Sequence, residues 1–420
     1  MQLSLVGINH RTAPVAIREK AAIRTGKLDD SLSRLGRYVD HGIILSTCNR
    51  TEVYTTDGDG RRNEEGSLDF LKTHLETSDT DLSQYTYILK DKEAVAHLFQ
   101  TTCGLDSMII GEYEVLGQVG QALESAERIK MTNLPLRQLF QGAIRTGRRV
   151  REETGISKNA LSVSSVAVDM ATRVVGDLAK CRMLVIGAGE AGRLVAKAAK
   201  DRGVASILIA SRTQERAAML TEVLGGTPIS LGNLAGEMHT CDIIVTCADA
   251  PHWIVSARHV AAAMKLRSGS PMVIIDIAVP RNVEPAVAEI DNVYLYNIDG
   301  LIQISDQNHQ QREGEIEKAV EIIMNEIAEF NAWWQMLEVR PVVSALMKKA
   351  EEIRRAQLDK TLKKLGSLSE EDHKSLEAMT KSIVTKILRE PVRYLKANGD
   401  SNGSAEMVRE LFRLPGEKPK

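Results

Sequence analysis

The sequence carries almost no net charge. Its 54 Lys and Arg residues nearly balance 56 Asp and Glu residues, which leaves −2 over 420 residues. No global basic field therefore attracts nucleic acid, which argues against a non-specific DNA-binding protein but leaves a local RNA-binding patch open. No apolar run approaches the ~18 residues of a membrane span, and the first residues lack a signal-like hydrophobic segment. We expect a cytoplasmic protein with no membrane partner.

Cysteine is scarce as well. The chain has five cysteines, an odd number without CxxC spacing, so we expect neither a disulfide framework nor a metal site. Cys48 follows the apolar run GIIL, has polar neighbours and lies two residues before Arg50, which could favour its thiolate. From these residues alone, Cys48 could be a core residue or a nucleophile. The other four are expected to be buried apolar residues: Cys103, Cys181, Cys241 and Cys247.

The length and the order of patterns predict a multidomain α/β protein. Residues 1–155 are expected to form an N-terminal α+β catalytic domain, in which Pro135 suits the first turn of a helix. The Gly- and Asp-rich segment 57–66 is expected to be a surface loop. Within this domain we predict strands at 3–8 and 42–47 and helices at 94–101, 112–129 and 135–153.

The next domain, residues 156–302, alternates strands with helices. The segment after Cys181 is typical of a strand, a Gly-rich turn, a helix and a second strand, and further strands are predicted at 241–248 and 271–279. This alternation predicts a Rossmann-type, doubly wound parallel sheet.

The last third is predicted to be all-α, with a long spinal helix at 303–340 and a helical dimerisation domain with a mobile tail at 341–420. A helix over 307–340 is about 51 Å long at ~1.5 Å per residue, and Pro341 suits its end. Further helices at 342–365 and 370–388 are too small to bury their apolar positions alone, so a homodimer is expected. The alternative is a monomer whose tail folds back on its own cofactor domain. The apolar seam of the long helix consists of Ile316, Val320, Ile323, Ile327, Phe330, Trp334 and Leu337.

The glycine-rich turn has the pattern GxGxxG between a hydrophobic strand and a helix, which is the context of a dinucleotide site. Gly187 permits the tight turn, Gly189 admits a pyrophosphate to the backbone, and Gly192 allows close packing of helix on strand. A glycine turn without a nucleotide is the alternative. The candidate cofactor-binding residues here are Gly187, Ala188, Gly189, Glu190, Ala191 and Gly192.

The following strand ends in Ser211, Arg212 and Thr213 instead of the acidic residue that usually holds the ribose of NAD. A guanidinium and two hydroxyls suit a 2′-phosphate, so NADPH is the predicted cofactor. Arg212 could instead be an ordinary solvated charge.

Six segments occur in an order that resembles the glutamyl-tRNA reductases: GINHRTAPVAIRE, LSTCNRTEVY, HLFQTTCGLDSMIIGEYEVLGQV, VREETGISKNALSVSSVAV, VIGAGEAG and DIAVPRNVEP. The resemblance extends to about residue 396. It implies NADPH-dependent reduction of glutamyl-tRNA(Glu) to glutamate-1-semialdehyde with release of tRNA(Glu), the first committed step of tetrapyrrole synthesis. It also implies an extended two-fold dimer. Whether the aldehyde passes directly to glutamate-1-semialdehyde aminomutase stays open.

The resemblance also implies a mechanism and a set of residues. Cys48 is the nucleophile that displaces tRNA and forms a thioester, which accepts hydride more readily than an ester; no metal is needed. Arg50 could pair with the substrate carboxylate, and His97 could orient the substrate or move a proton, although a satisfied helix histidine is the alternative. The substrate-binding positions are Thr47, Asn49, Arg50, Ser107, Glu112, Tyr113, Glu114 and Gln118, of which Tyr113 and Glu114 depart from the Pro-Gln of many relatives.

Other functions compete with this interpretation. A different NADP-dependent oxidoreductase that acts on a small carbonyl compound or alcohol would explain the glycine turn but does not require the N-terminal motifs. A catalytically silent scaffold would explain the helices but not the combination of Cys48, His97 and the glycine turn. A basic cluster could contact tRNA phosphate or could be a solvated helix face: Arg145, Arg148, Arg149 and Arg151.

Overall fold

The computed structural model describes most of the chain, which divides into two compact units, Gln2–Met324 and Asn325–Lys420. Tyr113, predicted to bind substrate, lies outside the described residues. The described residues are 2–57, 60–76, 82–108, 110–112, 114–156, 163–267, 269–305, 313–366, 368–398 and 403–414.

The first part of the larger unit is built on an antiparallel sheet. Strands β1 (Gln2–Asn9), β2 (Gly42–Ser46), β3 (Arg50–Asp57) and β4 (Tyr87–Lys90) lie in the order β2-β3-β1-β4. β1 pairs with β3 along its whole length, and nearly all of its residues are buried, so both faces of the sheet are covered. The strands that the sequence predicted here are confirmed.

Helices cover this sheet, and the three that the sequence predicted are confirmed. Pro135 lies in the first turn of its helix, which Asn133 caps by accepting a hydrogen bond from the Leu136 N–H at 3.1 Å. The predicted surface loop at 57–66 is wrong, because a helix begins at Gly60 and buries Phe70 and Leu71 further along. The helices are α1 (Val15–Ala21), α2 (Leu28–Leu35), α3 (Gly60–His74), α4 (Asp91–Thr102), α5 (Glu114–Arg128) and α6 (Leu134–Glu153).

The second part of the larger unit contains a parallel sheet, as predicted. Alternate residues of its strands pack into separate clusters: Met183 and Val185 into one, Leu184 and Ile186 into the other. Helices therefore cover both faces, as in a doubly wound fold. The strands are β5 (Arg182–Ile186), β6 (Ser206–Ser211), β7 (Thr227–Ser230), β8 (Ile243–Thr246), β9 (Met272–Asp276) and β10 (Val293–Asn297). The helices are α7 (Val163–Val175), α8 (Glu190–Asp201), α9 (Gln214–Leu224), α10 (Leu234–Glu237), α11 (Ala257–Lys265) and α12 (Ile298–Ser305).

The strand order of this sheet is β10-β9-β8-β5-β6-β7. From β5 the chain moves first in one direction, to β6 and β7, and later in the other, to β8, β9 and β10. Ligands of such sheets bind in the crevice at the carboxyl ends of the two strands where the direction changes, here β5 and β8. The glycine turn that begins at Gly187 directly follows β5, so it lies at this crevice.

The long helix is α13 (Glu313–Leu365), and Pro341 lies inside it. The prediction that Pro341 ends the helix is therefore wrong. A proline inside a helix removes one backbone hydrogen bond, but here Val339, Val342 and Leu346 are buried on either side of it and hold the helix in place.

The remaining helices of the smaller unit are α14 (Glu370–Asn398) and α15 (Ser404–Leu411). α15 lies in the segment predicted to be a mobile tail, and its Ser404 and Ala405 are buried. Leu388, Leu395 and Ala405 pack with the buried residues around Pro341 in one cluster. The predicted domain boundaries stay predictions.

Candidate active site

The turn between β2 and β3 presents Cys48. The Thr47 hydroxyl accepts hydrogen bonds from the backbone N–H groups of Asn49 at 3.0 Å and Arg50 at 3.2 Å. The Thr47 N–H donates to the Arg50 carbonyl at 2.8 Å. A side-chain hydroxyl that binds the backbone ahead of it is typical of tight turns and fixes the residue inside the turn. The Cys48 thiol itself lies 3.5 Å from the Asn49 Oδ1.

Cys48 lines a cavity of about 230 Å³ whose walls come from both parts of the larger unit. Glu114 and Gln118 line it from the first, N-terminal part. Ala191 and Cys247 line it from the second part, which contains the parallel sheet and the glycine turn and is called the nucleotide-binding part below. The candidate nucleophile and the glycine turn are therefore brought to one cavity, although they are far apart in the sequence.

The surroundings of Cys48 disfavour its thiolate. Burial raises its pKa strongly, and the negative charges of Glu112 and Glu114 raise it further. Among nearby cations, the charge of Arg18 opposes this shift, whereas Arg50, which the sequence suggested could favour the thiolate, is not among the main causes. Arg18 also donates a hydrogen bond from Nη1 to the Cys48 carbonyl oxygen at 2.9 Å.

Arg50 is buried and bound to acidic partners. Its Nη1 lies 2.9 Å from Glu52 Oε1 and 2.8 Å from Asp106 Oδ2, and it donates to the Thr101 hydroxyl at 3.2 Å. Asp106 is also paired with the exposed Arg11 at 2.8 Å. A substrate carboxylate that binds Arg50 must therefore compete with Asp106. No sequence pattern indicated Asp106, although it stands one position before the predicted Ser107.

His97 on α4 belongs to the same buried cluster. Its Nε2 lies 2.8 Å from Glu52 Oε1, and the Tyr87 hydroxyl donates to the same oxygen at 2.6 Å. The Tyr54 hydroxyl donates to the other carboxylate oxygen at 2.7 Å. His97 is not among the described residues that line the cavity at Cys48, so it has the contacts of a satisfied helix histidine. No sequence pattern indicated Glu52, although it ends the motif STCNRTE and directly precedes Val53 and Tyr54 on β3.

The predicted substrate residues around α5 form one wall of the site. Gln118 and Glu114 line both the cavity at Cys48 and a larger one of about 930 Å³, which Glu112 also lines. Burial raises the pKa of Glu112 to about 7, against a hydrogen bond from the buried Ser107 that lowers it. Burial and the charge of Glu190 raise the pKa of Glu114.

The basic cluster on α6 does not act as one surface. Arg151 points inward, where Nη2 donates to the Glu112 carbonyl at 2.8 Å and Nη1 to the Thr102 carbonyl at 3.1 Å. Arg149 is paired with Glu153 at 2.7 Å, whereas Arg145 and Arg148 are exposed. Arg151 therefore holds the backbone at Glu112, one of the predicted substrate residues, a role the sequence pattern did not indicate.

The glycine turn has the geometry that a dinucleotide requires. Gly187 has φ +125°, and a side chain there would meet the backbone of Cys247 at 2.9 Å. A Cβ on Gly192 would lie 1.9 Å from the Gly187 carbonyl oxygen, so only glycine allows this contact. Gly189 caps α8 and has open space on its Cβ side, which leaves room for a pyrophosphate at the helix N-terminus. Glu190 and Arg193 on α8 pair with each other at 3.0 Å.

The end of β6 carries Ser211, Arg212 and Thr213 beside this turn. Arg212 is exposed, and no ion pair with another described residue holds it. The Thr213 N–H donates to the Ser211 hydroxyl at 3.2 Å, which orders the loop. A cationic side chain that is free at this position fits a 2′-phosphate.

The loop after β9 completes the cavity. The residues that hold this loop in place were not indicated by the sequence. The Asp276 carboxylate accepts hydrogen bonds from the N–H groups of Asn282 at 2.8 Å and Val283 at 2.9 Å. Asn282 Oδ1 accepts from the Ala248 N–H at 2.9 Å. Burial raises the pKa of Asp276 to about 6. These bonds join the ends of β8 and β9 at the crevice.

The described residues hold neither a metal-binding cluster nor a membrane-spanning helix. No set of three or more His, Cys, Asp and Glu side chains in this part of the chain could hold a metal ion. In the same residues, every helix is too short or too polar to cross a membrane.

Known proteins resemble every part of the chain. Residues 6–154 match the family described as Glutamyl-tRNAGlu reductase, N-terminal domain; residues 169–304 match Shikimate / quinate 5-dehydrogenase; and residues 318–414 match Glutamyl-tRNAGlu reductase, dimerisation domain. The dehydrogenase match supports a nicotinamide cofactor, and the dimerisation match supports a homodimer.

Relatives that match over most of their length are named glutamyl-tRNA reductase. The glutamyl-tRNA reductase of Natranaerobius thermophilus is 41% identical over 94% of this chain and 87% of its own length. That of Pelotomaculum thermopropionicum is 39% identical over 100% of this chain and 96% of its own. The solved glutamyl-tRNA reductase of Methanopyrus kandleri is 34% identical, covers 96% of this chain and 99% of its own, and has a TM-score of 0.48.

Proposed function

Since the chain belongs to the glutamyl-tRNA reductase family and is an oxidoreductase, we propose that it reduces glutamyl-tRNA(Glu) to glutamate-1-semialdehyde with NADPH, through a thioester on Cys48. The observation that supports this most is the cavity that Cys48 shares with the glycine turn. A nucleophile and a cofactor site must meet for such a reduction. The five free cysteines agree with a reducing cytoplasm as its setting.

Cys48 performs the acyl transfer. Its sulfur attacks the ester carbonyl carbon, the bond from that carbon to the tRNA ribose oxygen breaks, and the thiol proton ends on that oxygen. The tRNA is released and the glutamyl group stays on sulfur. The turn fixed by Thr47 and Asn49 keeps the sulfur in place during this step.

The α5 wall binds the glutamyl group. Glu112, Glu114 and Gln118 line the cavities on this side, and Ser107 binds Glu112. A carboxylate here suits the α-ammonium group of an aminoacyl ester. Arg50 binds the side-chain carboxylate of the glutamyl group, which replaces Asp106 as its partner. His97 binds Glu52 and so keeps Glu52 and Arg50 in place.

The residues of the nucleotide-binding part fit NADPH. Gly189 and the N-terminus of α8 hold its pyrophosphate, and Arg212 with Ser211 and Thr213 holds its 2′-phosphate. When bound, NADPH supplies the hydride that turns the thioester into an aldehyde and frees the thiol. Ala191 and Cys247 line the cavity on that side.

One assay tests the proposal. The protein is incubated with glutamyl-tRNA, with and without NADPH, and both semialdehyde and discharged tRNA are measured. Semialdehyde that requires NADPH and glutamyl-tRNA supports the proposal. Turnover of free glutamate or simple aldehydes alone would instead identify an oxidoreductase of small carbonyl compounds, and no turnover would identify a scaffold.

A further inference from the structure

Two neighbouring residues of α1, Arg18 and Glu19, contact the nucleotide-binding part of the larger unit. Arg18 is 3% exposed, and its guanidinium donates to the carbonyl oxygens of Ala13 at 3.3 Å and Cys48 at 2.9 Å. Its Nη2 also pairs with the Asp299 carboxylate on α12. One buried cation therefore connects the turn of the nucleophile to a helix of the other domain.

Glu19 makes the second connection. Its carboxylate accepts hydrogen bonds from the Arg281 Nε at 2.7 Å and Nη2 at 2.9 Å, and from the Arg281 backbone N–H at 2.7 Å. Arg281 lies in the loop after β9, next to Asn282, which the Asp276 carboxylate holds. A bidentate pair with a third bond from the backbone specifies both distance and angle, unlike a lone surface ion pair.

We infer that Arg18 is a positioning residue for the reduction step, because it fixes the Cys48 turn against the nucleotide-binding domain, and that the Glu19–Arg281 pair sets the same docking. This inference rests on the proposed function and deepens it. Acyl transfer needs Cys48 and the α5 wall, all in the N-terminal domain. Hydride transfer needs the thioester at a distance of about 3–3.5 Å from a group held by the other domain. Only the second step depends on how the two domains dock.

The placement of Arg18 supports this role over simple packing. A cation this buried is unfavourable unless carboxylates and carbonyl groups satisfy it. Besides the Ala13 carbonyl on its own side, its acceptors are the carbonyl oxygen of Cys48 itself and a carboxylate of the opposite domain. Without Asp299, the guanidinium would lose its anionic partner and the Cys48 turn would lose its connection to α12.

The test separates the two steps. Glutamyl-tRNA discharge without NADPH measures acyl transfer, and the fraction of discharged glutamyl groups recovered as semialdehyde with saturating NADPH measures reduction. For Glu19→Gln, Arg281→Gln and Asp299→Asn we expect discharge within about twofold of the unmodified protein and a reduced fraction about tenfold lower, since small misplacements are costly for transfer between two sites. The double variant Glu19→Arg with Arg281→Glu should recover part of the loss.

A matched control breaks an ion pair inside the N-terminal domain. Asp29 pairs with Arg128 at 2.7 Å, and Asp29→Asn should leave both steps unchanged. If discharge and reduction fall in parallel in the Glu19, Arg281 and Asp299 variants, or if the reduced fraction does not change, the inference is wrong. A parallel fall would show that these residues only stabilise the fold.

A second measurement does not depend on activity. Hydrogen exchange of the substrate-free protein should show that Arg281→Gln speeds amide exchange both in α1 and in the turn at Cys48, whereas Asp29→Asn does neither. Unchanged amide exchange at the Cys48 turn would show that the Glu19–Arg281 pair does not affect this turn. If the unmodified protein makes no semialdehyde but Arg281→Gln speeds amide exchange as described, the proposed function is wrong and the docking of the two domains is still supported.

Discussion

The Arg50 guanidinium lies 2.9 Å from the Glu52 carboxylate, and both side chains are almost wholly shut off from water. They are two residues apart on β3 and so share one face of the sheet. Because His97, Tyr54 and Tyr87 also bind this carboxylate, the pair is the centre of a buried polar network. Such a network stabilises a fold only while every member is present.

Loss of Glu52 should therefore destabilise the protein strongly. Glu52→Gln leaves Arg50 with Asp106 as its anionic partner and should lower the free energy of unfolding of the larger unit by about 3–5 kcal/mol. Urea denaturation checks this, with Glu153→Gln as a control that breaks only the exposed pair with Arg149. A loss no larger than that of the control would contradict the assigned network.

The same pair predicts acid sensitivity. Burial alone would raise the pKa of Glu52, but the charges of His97 and Arg50 outweigh it and hold the pKa well below its ordinary value of 4.5. A carboxylate with a lowered folded pKa stabilises the protein fully above its unfolded pKa and loses that contribution as the pH falls below it. Stability should decline below about pH 4.5 in the unmodified protein and less steeply in Glu52→Gln.

Cys48 should be the acylated residue. Cys48→Ser keeps the shape but makes a poor nucleophile, so semialdehyde formation and tRNA discharge should both be abolished while NADPH binding persists. Without NADPH, the unmodified protein should still discharge tRNA slowly, because water can hydrolyse the thioester. Cys247→Ala is the matched control, since Cys247 lines the same cavity but should not be acylated. Near-normal turnover by Cys48→Ser would falsify the thioester mechanism.

Arg212 should select the cofactor. Arg212→Ala removes an exposed cation at the end of β6 and should raise the Michaelis constant for NADPH much more than for NADH. A charged hydrogen bond to phosphate is worth about 1–3 kcal/mol, or roughly 5- to 150-fold in affinity. Arg216→Ala, an exposed change on the neighbouring helix, serves as the control. Equal effects on both cofactors would show that Arg212 does not bind the 2′-phosphate of NADPH.

Glu114 should tune the thiol. Its charge helps to raise the pKa of Cys48, so Glu114→Gln should lower that pKa and move the rise of thiol alkylation by iodoacetamide to lower pH. The sign follows because removing a nearby negative charge makes the thiolate less costly. The rate of alkylation of Cys48 against pH is the measurement, with Glu153→Gln as the control. An unchanged or opposite shift would show that Glu114 does not act on the thiol.

The parts that the sequence predicts well are those in which partners are neighbours along the chain. The strand, glycine turn and helix from Arg182 to Asp201 are consecutive, so one local pattern contains the whole site for the pyrophosphate. The network at Arg50 is different. Tertiary packing brings together β3, α4 and Asp106, and no spacing indicates that these residues meet.

Pro341 and Arg50 show why local rules fail. A proline usually ends a helix, but burial of Val339 and Val342 beside it favours continuation, and the sequence does not display that burial. Arg50 lies close to Cys48 in sequence, yet its side chain turns to Glu52 and Asp106, whereas Arg18, thirty residues earlier, reaches the Cys48 carbonyl. Both outcomes depend on which side chains the fold places opposite each other.

The C-terminal helices should pair with a second copy through α14. Met379, Ile383 and Ile387 are 51%, 48% and 66% exposed, and their spacing of four places them on one face of the helix. The buried cluster of the same unit uses other positions, such as Leu388 and Leu395. An apolar face that one copy leaves open, in a region that matches a dimerisation domain, is best covered by the same face of a partner.

Charges on this face should therefore separate the dimer without unfolding the unit. We expect Ile383→Glu combined with Ile387→Glu to sediment as a monomer at micromolar concentration, because burying two unpaired carboxylates in an interface is unfavourable. Lys381→Glu, an exposed change on another face of α14, should leave the dimer intact. Circular dichroism should show unchanged helix content, because neither isoleucine belongs to the buried cluster. A double variant that still sediments as a dimer would place the interface elsewhere, and an unmodified protein that sediments as a monomer would refute the homodimer itself.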